Sequence, residues 1–425
     1  MQVLILGSGG RENAFAWKIA QSPLCTHIWI APGNAGTMKF GTNVAINPLD
    51  FAAVKQLVLD KEIGLVLVGP EEPLVNGIRD YFQSDVALID VALIGPSKEG
   101  AQLEGSKAYA KTFMMECGIP TAAYREFSFN TMAEGLAYLE DHEMPVVLKA
   151  DGLAAGKGVL ICVSKTEAQT ELKAMLEGKF GQASSKVVIE QFLSGIEFSV
   201  FALTDGKNYQ LLPVAKDYKR VGEGDTGLNT GGMGAVSPVP FVDKALMDKV
   251  EEQIIRPTVA CLQRRGIAYN GFIFFGLILV GQDPFVIEYN CRMGDPETEA
   301  VLPRMQNDLL KALLAVDQGT IDQEIMIEDP RFATTIMLVS GGYPGHYSNG
   351  KLMEIPAEEG DTMHFHSGTI ISGTDIVTNG GRVLAVTALG DTIPQALAKA
   401  NRIALQVQFE GKNYRKDIGL DLSSI

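Results

Sequence analysis

Apolar and polar positions alternate in two registers along the first 103 residues. Short apolar runs at 3–6, 27–31 and 64–69 are separated by longer amphipathic stretches, the clearest a helical pattern over 11–21. A run that is apolar throughout, as 64–69 is, fits a parallel strand buried on both faces. This part of the chain therefore predicts a small doubly wound α/β domain, residues 1–103. Asp85-Val86-Ala87-Leu88-Ile89 is followed by an identical Asp90-Val91-Ala92-Leu93-Ile94. One copy suffices to lead into Gly95-Pro96, so the other reads as a local duplication without function. Beyond residue 120 the pattern predicts strands at 146–150, 158–163 and 187–189 around a helix at 165–177, a separate unit over 120–192 that reads as a mobile lid. Residues 104–119 and 193–323 are left to form a central platform. From 324 to 425, segments at 332–339, 364–367 and 382–388 precede a helix near 393–405, which predicts a β-rich closing domain. The fold class is thus multidomain, α/β and α+β.

Length and charge narrow the function. A chain of 425 residues can bury several cores. With 36 basic against 51 acidic residues the net charge is −15, and no Lys/Arg stripe is present, so nucleic acid is not expected as a partner. Residues 1–7 run straight into an apolar strand with no basic region or cleavage site, which predicts no signal peptide. The longest apolar stretch, 271–281, is too short to span a bilayer, and no membrane is expected. Cys25, Cys117, Cys162, Cys261 and Cys291 are scattered, odd in number and without Cys-x-x-Cys spacing. Reduced thiols in a cytoplasmic protein are expected.

Candidate chemistry centres on Val147-Leu148-Lys149-Ala150-Asp151-Gly152-Leu153-Ala154-Ala155-Gly156-Lys157-Gly158-Val159, where a loop of glycine and alanine between two lysines comes directly after an apolar strand. Glycines let backbone amides approach phosphate oxygens, and lysines offset their charge. The order Gly-x-x-x-x-Gly-Lys-Ser/Thr is absent, so this is not a Walker loop. In Phe285-Val286-Ile287-Glu288-Tyr289-Asn290 the two-residue period puts Glu288 and Asn290 on one face of a strand. Hard magnesium takes one or two protein oxygens and fills the rest with phosphate and water, which suits so sparse a donor set. On these residues alone an ordinary polar strand face is the stronger reading. The opening Gly7-Ser8-Gly9-Gly10-Arg11 looks like a dinucleotide turn, but the third glycine would fall on Glu12 and no ribose-binding acid ends the second strand, so NAD is disfavoured. A glycine turn at a helix N-terminus still suits an anion, with Arg11 adding charge. His364 and His366 lie two apart with no third ligand nearby and read as packing or surface residues.

The flap sequence resembles that of the ATP-grasp superfamily, and in particular the glycinamide ribonucleotide synthetases. Six further segments match that family in order: Gly7 to Glu12, Gly69-Pro70-Glu71-Glu72-Pro73-Leu74, Leu103-Glu104-Gly105-Ser106-Lys107, Asn229-Thr230-Gly231-Gly232-Met233-Gly234, Arg292-Met293-Gly294-Asp295-Pro296-Glu297 and Gly380-Gly381-Arg382-Val383-Leu384. The resemblance implies an ATP-grasp fold with an N-terminal pre-ATP-grasp domain. It implies ATP binding by Lys107, Lys149, Gly156, Lys157, Gly158, Glu190, Phe192, Leu193 and Glu197, with Glu190 to Leu193 reading adenine and Glu197 the ribose. It tips Glu288 and Asn290 toward a Mg²⁺ or Mn²⁺ site. Gly9, Gly10, Arg11, Glu71, Pro73, Asp217, Asn229, Thr230, Gly231, Gly232 and Arg292 are expected at glycine and 5-phosphoribosylamine, the phosphoribosyl group lying at Gly9 to Arg11. Lys157, Arg292, Asp217 and Asp295 carry the expected catalytic roles, Asp217 or Asp295 accepting the amine proton. Arg292 is expected to orient the glycine carboxylate, the plainer alternative being an ion pair with Asp295 or Glu297. One departure is visible: the family usually reads Arg-Glu-His-Ala, and here Asn13 replaces the histidine.

The implied reaction joins glycine to 5-phosphoribosylamine through glycyl phosphate, releasing ADP and phosphate, in a monomeric enzyme of de novo purine biosynthesis. Another ATP-grasp ligase or carboxylase would share the flap and metal strand but not the Asn229 to Gly234 and Gly294 to Glu297 segments. A non-catalytic nucleotide-binding regulator would have no need of Lys149, Lys157, Glu288 and Asn290 together.

Overall fold

The computed structural model describes residues 1–153 and 158–423, leaving out the side chains of Gln182 and Ser184. Its N-terminal part is the parallel sheet expected from the apolar runs: Thr42–Asn43, His27–Pro32, Gln2–Gly7, Ile63–Val68 and Ala92–Pro96 lie side by side in that order. Helices Gly10–Ile19 and Phe51–Asp60 pack on it, the second capped by Asp50, whose carboxylate accepts the Ala53 N–H. Of the duplicated pentapeptides, only the second enters the sheet, from Ala92. The first forms the turns after helix Ile78–Ser84, with Leu88 buried and Val86 90% exposed.

The sheet does not stop at this domain. Pro96 pairs with Tyr269 at the start of the twelve-residue strand Tyr269–Val280, which in turn pairs antiparallel with Ile196–Thr204 on one side and Asp283–Asn290 on the other. From Ile196–Thr204 the ladder continues through Tyr209–Asp217, Gly234–Ser237, Phe332–Val339, Arg382–Gly390 and Thr362–His366, giving one 13-stranded sheet. The C-terminal strands read from sequence as a closing unit are therefore the far edge of this sheet, covered by helix Ile393–Gln406. A separate four-stranded antiparallel sheet, in the order Tyr124–Ser128, Lys186–Gln191, Val146–Ala150, Val159–Cys162, carries helices Met132–Asp141 and Lys165–Leu176 on one face. Its own core includes Phe127, Leu139, Leu148, Leu172 and Ile189. Truncating one such leucine to alanine would cost this small unit about 2 to 5 kcal/mol.

One expectation fails. Cys117, which caps helix Lys107–Glu116, is joined by a disulfide to Cys261 of helix Arg256–Arg264, with Cα atoms 6.1 Å apart. The partners are 144 residues apart in sequence, so their proximity is a product of helix packing that spacing rules do not see. Cys25, Cys162 and Cys291 are free, as expected. No helix among the described residues is long and apolar enough to cross a membrane.

Candidate functional site

Strand Asp283–Asn290 sets the floor of the site. The Tyr289 ring points into the core, edge-on to Phe113 and Phe275, and its hydroxyl meets that of Thr258 at 2.8 Å. Alternation then turns Glu288 and Asn290 the other way, each half-buried and each opposite a residue of the long strand, Gly276 and Phe274. A Cβ on Gly276 would lie 3.0 Å from the Glu288 side chain, so a glycine gives that carboxylate its room. Burial opposes the ionised form of Glu288, yet Lys219, Lys107, Lys149 and Arg292 hold it below the ordinary glutamate range. An ionised carboxylate surrounded by four cations is a hard oxygen donor in a field built for anions.

Three of those cations are themselves positioned by carboxylates, and the fourth, Lys107, by its turn. Lys149 Nζ lies 2.9 Å from Glu190 Oε2 and donates to the Ile287 carbonyl, and Lys111 Nζ reaches the same Glu190 oxygen at 3.2 Å. All three side chains are buried. Burial, with the charge of Lys149, pushes the Lys111 ammonium down to about 8 against the pull of Glu190. Lys219 contacts Glu197 at 3.0 Å. Although burial disfavours its charge, Asp217, Glu197 and Glu288 hold it strongly protonated. Lys107 opens helix Lys107–Glu116 in a turn bound to the flap strand: its backbone N–H donates to the Asp151 carbonyl, while Ser106 Oγ and the Ala108 N–H donate to the Asp151 carboxylate. Phe192 and Leu193, half-buried, lie in the connection between Lys186–Gln191 and Ile196–Thr204. Gly158 accepts the Ala150 N–H through its carbonyl, and Gly156 and Lys157 lie outside the described residues.

At the end of the same strand, Glu104 gathers Asn290, Cys291 and Arg292. Its carboxylate accepts from the Cys291 N–H at 2.8 Å and from Arg292 Nη2 at 2.5 Å, and with the Asn290 amide turned so that each of its atoms meets a complementary partner, the amide nitrogen donates to it at 3.0 Å. That orientation leaves the Asn290 carbonyl oxygen for other partners. Arg292 also donates from Nε to Glu71 at 3.3 Å, so its ion-pair partners are Glu71 and Glu104, correcting the expected alternatives Asp295 and Glu297. Glu71 and Pro73 are in the short helix Glu71–Val75. Burial would raise the Glu71 pKa, but Arg292 and Arg11 take it down to about 2.

Asp295 joins three distant segments. Its carboxylate accepts the Arg11 N–H at 3.2 Å and contacts Arg382 Nη1 at 3.1 Å. Arg382 Nη1 also donates to the Asp295 carbonyl at 2.5 Å and to the Gly231 carbonyl at 2.6 Å. Tyr343 accepts the Gly231 N–H, Thr230 bonds the Lys219 carbonyl, and a Cβ on Gly232 would lie 2.4 Å from the Pro296 ring. The segment from Asn229 to Gly232 is therefore fastened against the segment from Gly294 to Glu297. At the N-terminal turn, Glu12 accepts the Gly9 N–H and pairs with Arg11 Nε at 2.7 Å, and Arg11 also bonds the Met293 carbonyl. Gly10 lies against Glu299, whose oxygen would be 2.2 Å from a Cβ there. Arg11 is thus committed to protein partners, where the sequence suggested charge free for an anion. Asn13 Oδ1 accepts the His366 N–H at 2.6 Å, and His366 Nδ1 meets Thr369. His364 and His366 are buried packing residues, and the described residues hold no group of three or more His, Cys, Asp or Glu side chains able to bind a metal.

Sequence reasoning assigned no functional role to Glu104, Lys111, Lys219, Glu297 or Arg382. Glu104, Glu297 and Arg382 sit inside matched motifs, and Lys219 is two residues from Asp217, so proximity to those motifs was the available signal. Lys111 had none.

A carboxylate–amide pair on the last strand before Cys291, met by Lys149 of the small sheet and by Lys107 and Lys219, defines an ATP-grasp protein. Biotin carboxylase from Campylobacter jejuni shares the fold, with a TM-score of 0.75 over 100% of this chain and 95% of that one at 16% identity. The models of the phosphoribosylglycinamide synthetase N domain, ATP-grasp (A) domain and C domain match residues 1–104, 105–298 and 333–421. The chain belongs to the phosphoribosylglycinamide synthetase family. It is 46% identical over 427 residues to the phosphoribosylamine–glycine ligase of Chlorobaculum tepidum, covering 99% of each chain, and 45% identical over 425 residues to that of Vibrio cholerae, covering 99% of this chain and 98% of the relative. The crystal structure of the Thermotoga maritima phosphoribosylamine–glycine ligase superposes with a TM-score of 0.86 at 37% identity, over 98% of this chain and 100% of that one.

Proposed function

We propose that the chain ligates glycine to 5-phosphoribosylamine at the expense of ATP, giving glycinamide ribonucleotide, ADP and phosphate, with the cleft segments as its substrate and nucleotide sites. The observation that carries this reading is Glu288, kept ionised among Lys219, Lys107, Lys149 and Arg292. Such a field matches a metal-bound polyphosphate. Glu288 and the Asn290 carbonyl would hold Mg²⁺ or Mn²⁺, which supplies charge neutralisation across the phosphates when bound. Lys149 and Lys107 face the phosphates, and Lys157, outside the described residues, is a further candidate for their charge. The connection at Phe192 and Leu193 takes adenine, and Glu197 takes the ribose. Glu190 supports this site indirectly, by holding Lys149 in place.

Glycine attacks the γ-phosphorus through a carboxylate oxygen, in a transfer whose catalysis is positioning and charge neutralisation. Arg292, held by Glu71, Glu104 and the Met293 carbonyl, would use the second N–H of Nη1 or Nη2 to orient that carboxylate. The amine of phosphoribosylamine then attacks the acyl carbon of glycyl phosphate, expelling phosphate. Its phosphoribosyl group lies toward Gly9 to Arg11, and Asn229 to Gly232 close over it. The lid sheet excludes water from the acyl phosphate. These site segments all come from one chain, which is compatible with a monomer acting in the cytoplasm. Incubation with ATP, glycine, phosphoribosylamine and Mg²⁺ should yield ADP and inorganic phosphate only when all are present. Release of AMP and pyrophosphate would refute the acyl-phosphate route.

A further inference from the structure

Amide formation must dispose of a proton. As the amine nitrogen bonds to the acyl carbon it becomes cationic, the carbon–oxygen bond to phosphate breaks with its electron pair leaving on phosphate, and one N–H proton must pass to a base. The carboxylates around the cleft are not equivalent in their capacity for this. Asp295 is tied to Arg382 and to the Arg11 N–H, and these partners, with Arg11 and Arg292 nearby, outweigh burial and hold it ionised below its ordinary range. It is an anchor and a weak base. Glu71, Glu104, Glu190 and Glu197 each contact a cationic side chain at 3.3 Å or less. Glu299 is wholly buried against Gly10.

Glu297 differs from the paired carboxylates, and of the others that no side chain pairs with among the described residues, Glu299 is fully enclosed and Asp217 lies near Lys219 and Lys216, whose charges pull against its burial. It is the first residue of helix Glu297–Arg304, 5% exposed, and among the described residues no side chain pairs with its carboxylate. The carboxylate folds back over Gly294, where a Cβ would lie 2.3 Å from its Oε2. The same helix packs on strands Tyr209–Asp217 and Gly234–Ser237, which flank the Asn229 to Gly232 segment. The charged groups near it are Asp217, Lys219 and Arg292, with Glu299 and Arg382 also within electrostatic reach.

We infer that Glu297 is the group that takes the proton from the attacking amine, a proposal that rests on the ligase reading. The proton moves from nitrogen to a Glu297 oxygen as phosphate departs, and leaves to solvent with product release. Burial, reinforced by the charge of Asp217, pushes the Glu297 carboxyl up to about 8 against the pull of Lys219 and Arg292, so it exchanges a proton near neutral pH, where a general base is most effective.

The test is the pH profile of kcat in Glu297→Gln and Glu297→Asp, with glycyl phosphate formation followed separately by trapping as the hydroxamate. The wild type should show an acid limb with an apparent pKa near 8. Glu297→Gln should lose that limb and about 10² to 10⁴ in kcat for product formation, with a much smaller loss in hydroxamate formation and an unchanged melting temperature. Glu297→Asp should restore a limb at a shifted position. A Gln variant that keeps the limb, or loses both half-reactions equally, overturns the assignment. If the wild type forms neither hydroxamate nor ligated product, the ligase reading itself falls, and this proposal with it.

Discussion

Glu104 makes no contact with the cleft in its own right, yet its replacement should be felt both in stability and in metal use. Its carboxylate, 4% exposed, receives the Arg292 guanidinium, the Cys291 N–H and the Asn290 amide. Burial pushes its pKa up and Arg292 pulls it back. Glu104→Gln keeps the shape but removes the charge. Stripping a buried ion of its partner costs about 3 to 5 kcal/mol, and the glutamine carbonyl recovers about 1 kcal/mol by still accepting one of the three donors. At roughly 2 to 4 °C per kcal/mol for a domain of this size, the melting transition that includes this site should fall by about 4 to 16 °C. The second consequence concerns geometry. A glutamine whose N–H₂ faces Asn290 repels the amide it used to hold, so the Asn290 carbonyl loses its aim, and the loss of such a supporting contact typically weakens metal affinity about 10 to 100-fold. Titrating turnover against Mg²⁺ at saturating ATP, beside a thermal melt, reads both. A Glu104→Gln protein with an unaltered Mg²⁺ requirement would show that Asn290 needs no support from Glu104. An unaltered melting point as well would remove the argument entirely.

Glu288→Gln should collapse Mg²⁺-dependent turnover while shifting the melting temperature little, since its carboxylate has no ion-pair partner to strand among the described residues; near-normal turnover would move the metal site elsewhere. Arg382→Ala removes the clamp between Asp295 and Gly231 and should raise the KM for phosphoribosylamine more than that for ATP, with at most about 3 to 5 kcal/mol lost as Asp295 loses its side-chain ion pair and keeps the Arg11 N–H; equal effects on both KM values would deny a local role. Lys111, held at about 8 by burial against an ordinary 10.5, binds its proton less tightly folded than unfolded. Its contribution to stability therefore rises from pH 8 toward 10.5, by an upper limit of about 3 kcal/mol. Urea unfolding of the wild type and of Lys111→Met across that window should differ in slope, and parallel curves would refute the assignment. Arg292→Lys cannot span Glu71 and Glu104 together, so Glu71 should titrate above its present value of about 2 and the acid unfolding midpoint should move up, alongside impaired glycine use; a protein with unchanged acid stability would contradict the ion-pair geometry.

What the sequence determined by itself is what depends on near neighbours along the chain. Apolar runs place the parallel strands because a strand buried on both faces has no polar position to spare, and the two-residue period places Glu288 and Asn290 on one face with Tyr289 on the other. Glycine clusters mark where backbone must come close to something, and the matched motifs name the family. Folding decided which of those residues meet, and in what charge state. Pairing of Glu104 with Arg292, of Lys111 with Lys149 through Glu190, of Asp295 with Arg382, and of Cys117 with Cys261 joins segments dozens to more than a hundred residues apart. No periodicity carries such information, because it is fixed by how one sheet threads through three segments of chain. Charge state obeys the same logic: Asp295 and Glu297, two residues apart, are pushed in opposite directions because one is clasped by arginines and the other is buried beside a carboxylate.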